Sequence, residues 1–162
     1  MEREYRRSKG DFRPPLHGCV EEDRRMARAL GDLYRDFFVG VADCLWISVA
    51  CELADCELAE VFDRIAEMHL TSLRRIGALI VALGGTPWLQ GRIYTEASNV
   101  RLDRAEQSRA VLVGAYLDRL RVARMHLSRL TGASRDRLVS AVLEWLNAGL
   151  GEEEAMLRPF LE

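Results

Sequence analysis

Apolar residues recur three and four positions apart along most of this chain, from about residue 21 to about residue 160. This spacing is the period of an amphipathic α-helix, and no segment shows the two-residue alternation of a half-buried strand bounded by tight turns. The pattern predicts four long helices, at about residues 21–53, 56–83, 99–130 and 135–160. Asp55 and Ser134 are the predicted N-caps of the second and fourth helices, and Gly149 and Gly151 a weak point near the end of the fourth.

The links between these helices differ in length, and this predicts how the helices are arranged. The second helix ends at the breakers Gly84-Gly85-Thr86-Pro87, and an irregular crossover follows at about residues 88–98. The two outer links are short. We therefore expect an all-α four-helix bundle in which two αα-hairpins are joined by one long crossover. We expect residues 19–162 to form this single domain and residues 1–18 to form a disordered or loosely attached arm, whose removal should leave the melting temperature nearly unchanged.

Polar or weakly polar residues interrupt the apolar seam of every predicted helix near its middle. His69 and Ser72 lie three residues apart on the seam of the second helix, so both point into the bundle. The other interruptions are Cys44 in the first helix, Tyr116 in the third and Glu153 in the fourth, where the predicted seam is Val139, Val142, Leu146, Gly149, Glu153, Met156 and Phe160. Because unpaired buried polar groups cost free energy, this mid-bundle coincidence marks the candidate site.

Composition and charge argue against several classes of partner and cellular location. The 162 residues are 49% hydrophobic and 30% charged, with a net charge of −2, which argues against a nucleic-acid partner. No apolar run reaches membrane-spanning length and the N-terminus lacks a signal-peptide core, so we expect a cytoplasmic protein without a membrane partner. The four cysteines, Cys19, Cys44, Cys51 and Cys56, form no CxxC pair and are expected to be reduced thiols.

Three stretches together resemble a known family. Residues 58–66 (LAEVFDRIA), 73–80 (LRRIGALI) and 83–87 (LGGTP) are similar to the second helix of rubrerythrin-like and manganese-catalase-like ferritin domains of the small spore-coat-associated type. The resemblance implies a ferritin-like bundle in a bacterial protein, with the spore association of its relatives as an expectation. In such bundles each hairpin supplies a Glu from one helix and a Glu-x-x-His pair from the next to two metal ions.

The family's six ligand positions fall on residues of other types in this chain. The resemblance places the two single Glu positions at Cys44 and Tyr116, one Glu-x-x-His pair at His69 and Ser72, and the other at Leu150 and Glu153. It therefore implies the fold with a degenerate di-metal centre, no catalytic residues and no cofactor. The alternative is one zinc, iron or manganese ion held by Cys44, His69 and Glu153.

Each candidate residue also has a purely structural interpretation. His69 with Ser72 is a relic half-site or a satisfied buried pair, Cys44 a thiolate ligand or a small hydrophobe, and Tyr116 a functional phenol or a core side chain. Glu153 either turns inward, with His69 as its partner, or is solvent-exposed in the run Glu152–Glu154. Glu106 and Arg109 are expected to pair with each other, and Glu60, Asp63 and Glu67 to form a solvated acidic face.

Three functions follow from these interpretations. The first is a non-catalytic structural or interaction protein that forms a homo-oligomer, for example a homodimer, or binds a related ferritin-like protein, with Trp46, Trp88 or Trp145 at an interface. The second is a metal-binding oxidoreductase or metal-storage protein with an altered site. The third is a small-molecule or redox-sensing pocket in the vacated centre.

Overall fold

A computed structural model describes residues 20–87 and 109–161, which form a four-helix bundle. The helices are α1 (Val20–Cys51), α2 (Cys56–Ala82), α3 (Arg109–Ala133) and α4 (Arg137–Leu157), followed by a 3₁₀ turn, Arg158–Leu161. Helices α1 and α2 pack on each other as one hairpin, and α3 and α4 as the other. Across these described residues no strand forms, and the all-α prediction is confirmed. The predicted arm, the crossover at 88–98 and the start of the third helix lie outside the described residues.

The first hairpin closes at the residue that the sequence indicated. Asp55 is the N-cap of α2, because its Oδ1 accepts a hydrogen bond from the Leu58 amide at 3.1 Å. Its second oxygen lies 3.3 Å from Arg109 Nη1, which ties the start of α3 to this turn. At the other end of α2, Gly84 adopts a φ of +76°, the left-handed conformation that ends helices.

The second hairpin closes differently from the prediction. Helix α3 continues through Thr131 and Gly132, and the Thr131 hydroxyl bonds back to the Leu127 carbonyl at 3.0 Å. The N-cap of α4 is Asp136 rather than Ser134, because Asp136 Oδ1 accepts from the amides of Leu138 at 2.7 Å and Val139 at 2.9 Å. Helix α4 also runs unbroken through Gly149 and Gly151, so the predicted weak point there is wrong.

Helix α4 presents a face that is slightly rotated from its predicted seam. The buried residues of α4 are Val139, Leu143, Leu146, Leu150, Glu153 and Leu157. Leu143 and Leu150 therefore replace Val142 and Gly149 of the predicted seam, and Phe160 joins the core from the 3₁₀ turn. The rotation keeps Glu153 inside while the large aliphatic side chains fill the space around it.

The outer surface matches the predictions in part. Glu60, Asp63 and Glu67 are exposed, as expected of a solvated acidic face. Trp145 is partly exposed beneath the Arg75 guanidinium, which lies 3.8 Å from the ring centroid, while Trp46 packs half-buried against the core. Trp88 lies outside the described residues. None of the described helices is long and apolar enough to cross a membrane.

Candidate functional site

Each helix contributes one polar side chain to the middle of the bundle. These are Cys44 from α1, His69 from α2, Tyr116 from α3 and Glu153 from α4, and none exposes more than 4% of its surface. They come together because each replaces an apolar residue on the seam that its helix turns inward. The structure brings these four side chains together, and of the two orientations left open for Glu153 it shows the inward one.

Glu153 is the acceptor at the centre of this cluster. Its Oε2 lies 3.0 Å from His69 Nε2 and 3.3 Å from the Tyr116 hydroxyl, which donates to it. The Tyr116 oxygen is also 3.5 Å from His69 Nε2. An ionised carboxylate accepts several hydrogen bonds, so the geometry suits a Glu153 carboxylate that receives one proton from the phenol and one from Nε2–H of the imidazole.

Cys44 extends the network to α1. Its Sγ donates to the Tyr116 oxygen at 3.2 Å. Burial raises the pKa of the Cys44 thiol to about 12; the hydrogen bond with Tyr116 opposes the shift, and the negative charge of Glu153 adds to it. At neutral pH the sulfur is therefore a protonated thiol, which is a weak nucleophile and a poor metal ligand.

Tyr116 is held as a neutral phenol. Burial, followed by the nearby Cys44 and Glu153, raises the pKa of Tyr116 well above its ordinary value. Its ring meets Phe62 edge to face, with ring centroids 5.2 Å apart. Packing and hydrogen bonds thus fix the hydroxyl between the thiol and the carboxylate.

The far side of the His69 ring has no polar partner. Nδ1 is buried without a hydrogen bond, and it lies directly against Gly40 of α1. A Cβ at position 40 would lie 2.2 Å from Nδ1, so only glycine leaves room for the ring. Phe37 packs beside the ring, with centroids 4.9 Å apart. Since Nε2 is the nitrogen that meets Glu153, the tautomer with Nε2–H and a bare Nδ1 leaves the fewest donors unsatisfied.

Two other predicted centre residues stay outside the network. The Ser72 hydroxyl bonds to the Met68 carbonyl of its own helix at 2.9 Å, and so does not pair with His69. Leu150 is a fully buried core residue. Arg109 meets Asp55, and its predicted partner Glu106 lies outside the described residues.

The sequence analysis missed an ion pair beside the centre, in which the carboxylate is buried and the guanidinium is partly exposed. Asp43 of α1 is buried and pairs with Arg119 of α3, whose Nη2 also donates to the Asp36 carbonyl at 2.9 Å. Burial lowers the pKa of Arg119, and the negative charges of Asp36 and Glu153 oppose this shift. The available signal was the position of Asp43 as the only charge in an otherwise uncharged stretch of α1.

The donor set does not fit a di-metal cluster. Two divalent ions bring about four positive charges, which the family balances with four carboxylates. Glu153 is the one carboxylate in this network, the thiol and phenol are protonated at neutral pH, and the donors are already bonded to one another. Within residues 20–87 and 109–161, no three His, Cys, Asp or Glu side chains are grouped so that they could hold a metal ion.

Comparison with known proteins places the fold. The chain is similar to the bacterioferritin-related protein of Bacteroides fragilis, a dodecameric thioferritin, with a TM-score of 0.74 and 17% sequence identity over 90% of this chain and 89% of that one. The fold is therefore that of a ferritin-like four-helix bundle, and this predicted fold is confirmed. This likeness does not extend to the rubrerythrin-like or spore-coat subtype. No protein-family model and no curated protein sequence matches the chain.

Proposed function

We propose that this protein is a non-catalytic ferritin-like bundle that serves as a structural subunit of a homo-oligomer. In this proposal the bundle centre is a packing and hydrogen-bonding unit that holds the four helices in register. The reactive side chains found there stabilise the fold and perform no chemistry on a substrate.

The observation that carries the proposal is that the four central side chains hydrogen-bond to one another. His69, Tyr116 and Cys44 form a chain of hydrogen bonds that converges on Glu153, one group from each helix. A buried network of this kind rigidifies and specifies a core when its members are paired. Arg119, which feels the negative charge of Glu153, supplies a nearby cation from the chain itself.

Assembly into a homo-oligomer is supported by the fold comparison. The similar bacterioferritin-related protein is described as dodecameric, so a bundle of this shape can present faces for self-association. A structural subunit needs a rigid core and complementary outer surfaces rather than an open active site. Both requirements are compatible with a centre that is closed to solvent.

Metal content tests this proposal. The protein is expressed with added iron, manganese and zinc, purified without chelator, and analysed by elemental mass spectrometry beside His69→Ala and the control His126→Ala. His126 is half-buried on α3, and its Nδ1 lies 3.5 Å from Asp36. We expect a metal content below about 0.1 per chain in all three proteins.

Two results would overturn the proposal, and each names its replacement. About two metals per chain, lost in His69→Ala and kept in His126→Ala, would indicate a di-metal oxidoreductase or storage protein. About one metal per chain, lost in both His69→Ala and Cys44→Ala, would indicate a single zinc, iron or manganese ion on Cys44, His69 and Glu153.

A further inference from the structure

The middle of α1 lacks exposed charge over its whole circumference. Residues 37–51 contain one charged side chain, Asp43, and it is buried in the ion pair with Arg119. Over about four turns, the outward face of α1 therefore presents no ionised group to water. The outward face of α2 carries Glu60, Asp63 and Glu67 within two turns. A helix that is apolar all round is buried on every side in its working state.

Four apolar residues of this stretch form one stripe on α1. Phe38, Ala42, Leu45 and Val49 follow one another at steps of four, three and four residues, which places them on one side of the helix. Leu45 is 49% exposed and Val49 72%, Ala42 is exposed, and Phe38 is half-buried against the core. Large neighbouring apolar side chains on a surface mark an interaction site.

We propose that this α1 stripe is a two-fold interface, covered by the same stripe of a second copy of the chain in antiparallel orientation. The inference rests on the proposed role as a subunit of a homo-oligomer, and it names the surface. A two-fold interface pairs each residue with a different residue of the same patch, so the stripe must complement itself.

The sequence of the stripe has this self-complementarity. If the two α1 helices cross midway between residues 43 and 44, Phe38 lies opposite Val49 of the second copy, and Ala42 lies opposite Leu45. Each larger side chain then faces a smaller one, which allows close packing of the two helices.

The charges at the ends of the stripe complement each other in the same register. Arg35, which is exposed on α1 beside Asp32 and Asp36, lies opposite Glu52 of the second copy, just past the end of its α1. By symmetry the pair occurs twice. An uncharged centre bordered by complementary charges is the layout of a specific interface, with the charges fixing the register.

Substitution of single outward residues tests the surface. The oligomeric state of the wild-type chain, Val49→Arg and the control Val122→Arg is measured by sedimentation velocity over about 1–100 μM. Val122 is a β-branched residue on the outer face of α3 and is 61% exposed, close to the 72% of Val49. We expect an assembly with an even number of chains, a dissociation constant raised about 100-fold or more in Val49→Arg, and no change in Val122→Arg.

Charge reversal tests the antiparallel register. Arg35→Glu and Glu52→Arg are each expected to weaken association about tenfold by placing like charges opposite each other, and the double variant restores it to within about threefold. Both positions are exposed, so helical circular dichroism should remain that of the wild type in every variant.

The following results would refute the inference without affecting the metal-content test. The first is a wild-type chain that stays monomeric at every concentration. The second is an assembly that Val122→Arg dissociates and Val49→Arg does not. The third is a double charge-reversal variant whose association is weakened by the combined losses of the two single variants. A monomer whose α1 stripe binds a hydrophobic dye only after removal of residues 1–18 would instead make that segment the occupant.

Discussion

Gly40→Ala should destabilise the protein although alanine is the better helix former. The added Cβ would lie 2.2 Å from His69 Nδ1 and 2.4 Å from Cε1, whereas ordinary contacts begin at 3.4 Å. The His69 ring would have to move by about 1 Å in a closely packed centre. A displacement of that size does not preserve the 3.0 Å contact between Nε2 and Glu153.

The expected magnitude combines three opposing contributions. Overpacking a core costs about 1–3 kcal/mol, and losing a hydrogen bond to a buried carboxylate costs about 1.5–3 kcal/mol. Replacing an interior helical glycine by alanine returns about 0.5–1 kcal/mol. The net loss in the free energy of unfolding is therefore about 2–5 kcal/mol.

Urea unfolding followed by circular dichroism measures this loss, with Gly31→Ala as the matched control. Gly31 lies in the same helix, and a Cβ there meets nothing within 4 Å, so this variant should be as stable as the wild type or more stable by up to about 1 kcal/mol. If Gly40→Ala gained stability like the control, the placement of the His69 ring against α1 would be wrong.

Three further predictions concern Cys44 and the Asp43–Arg119 ion pair. Because burial raises the pKa of Cys44 to about 12, its thiol should resist a disulfide reagent in the native state at about pH 8. The exposed Cys56 should react under the same conditions. Rapid modification of Cys44 would favour a redox-sensing pocket. In the unfolded chain the Cys44 thiol loses its proton above its ordinary pKa of 9.0, whereas in the folded chain it keeps the proton up to about pH 12. The free energy of unfolding should therefore fall by about 1.4 kcal/mol per pH unit between about pH 9 and 12. Urea titrations of Cys44→Ala should lack this contribution. Arg119→Leu should lower the free energy of unfolding by about 3–5 kcal/mol, because it leaves the Asp43 carboxylate buried and unpaired. The further change Asp43→Leu should recover most of this loss. Equal losses in the single and double variants would contradict the ion pair.

The parts of the fold that local sequence determines were predictable. The apolar residues of α2 repeat at helical spacing without a helix breaker, and Asp55 stands immediately before the helix. The N-cap of α2 and the inward direction of His69 could therefore both be predicted from the sequence. The cap of α4 was not, because Ser134 and Asp136 are both good capping residues. Only the positions of the Leu138 and Val139 amides show that Asp136 is the one used.

Gly149 and Gly151 were misleading for a related reason. Each glycine weakens a helix by about 1 kcal/mol relative to alanine, and this low helix propensity is the reason for the predicted weak point. Leu146, Leu150 and Leu157 bury their side chains on the same helix, and this tertiary packing outweighs the weak local preference.

The chemistry of the centre depended on contacts between distant parts of the chain. Glu153 turns inward because His69 and Tyr116 both bond to the same carboxylate oxygen. A pattern within α4 alone could not distinguish this from an exposed acidic run. The Asp43–Arg119 pair joins residues 76 positions apart, and nothing local to either residue identifies the partner.

The protonation of the His69 ring tests the central claim most directly, because the two nitrogens have different roles in the network. Long-range ¹H–¹⁵N correlation spectra, assigned with His69→Gln, distinguish a protonated Nε2 from a metal-bound one. We predict a proton on Nε2, directed at Glu153, and a bare Nδ1, with no change on addition of excess zinc or ferrous iron. Loss of the Nε2 proton on addition of metal, with saturable binding, would contradict the assignment of this centre as a hydrogen-bond network among its own four side chains.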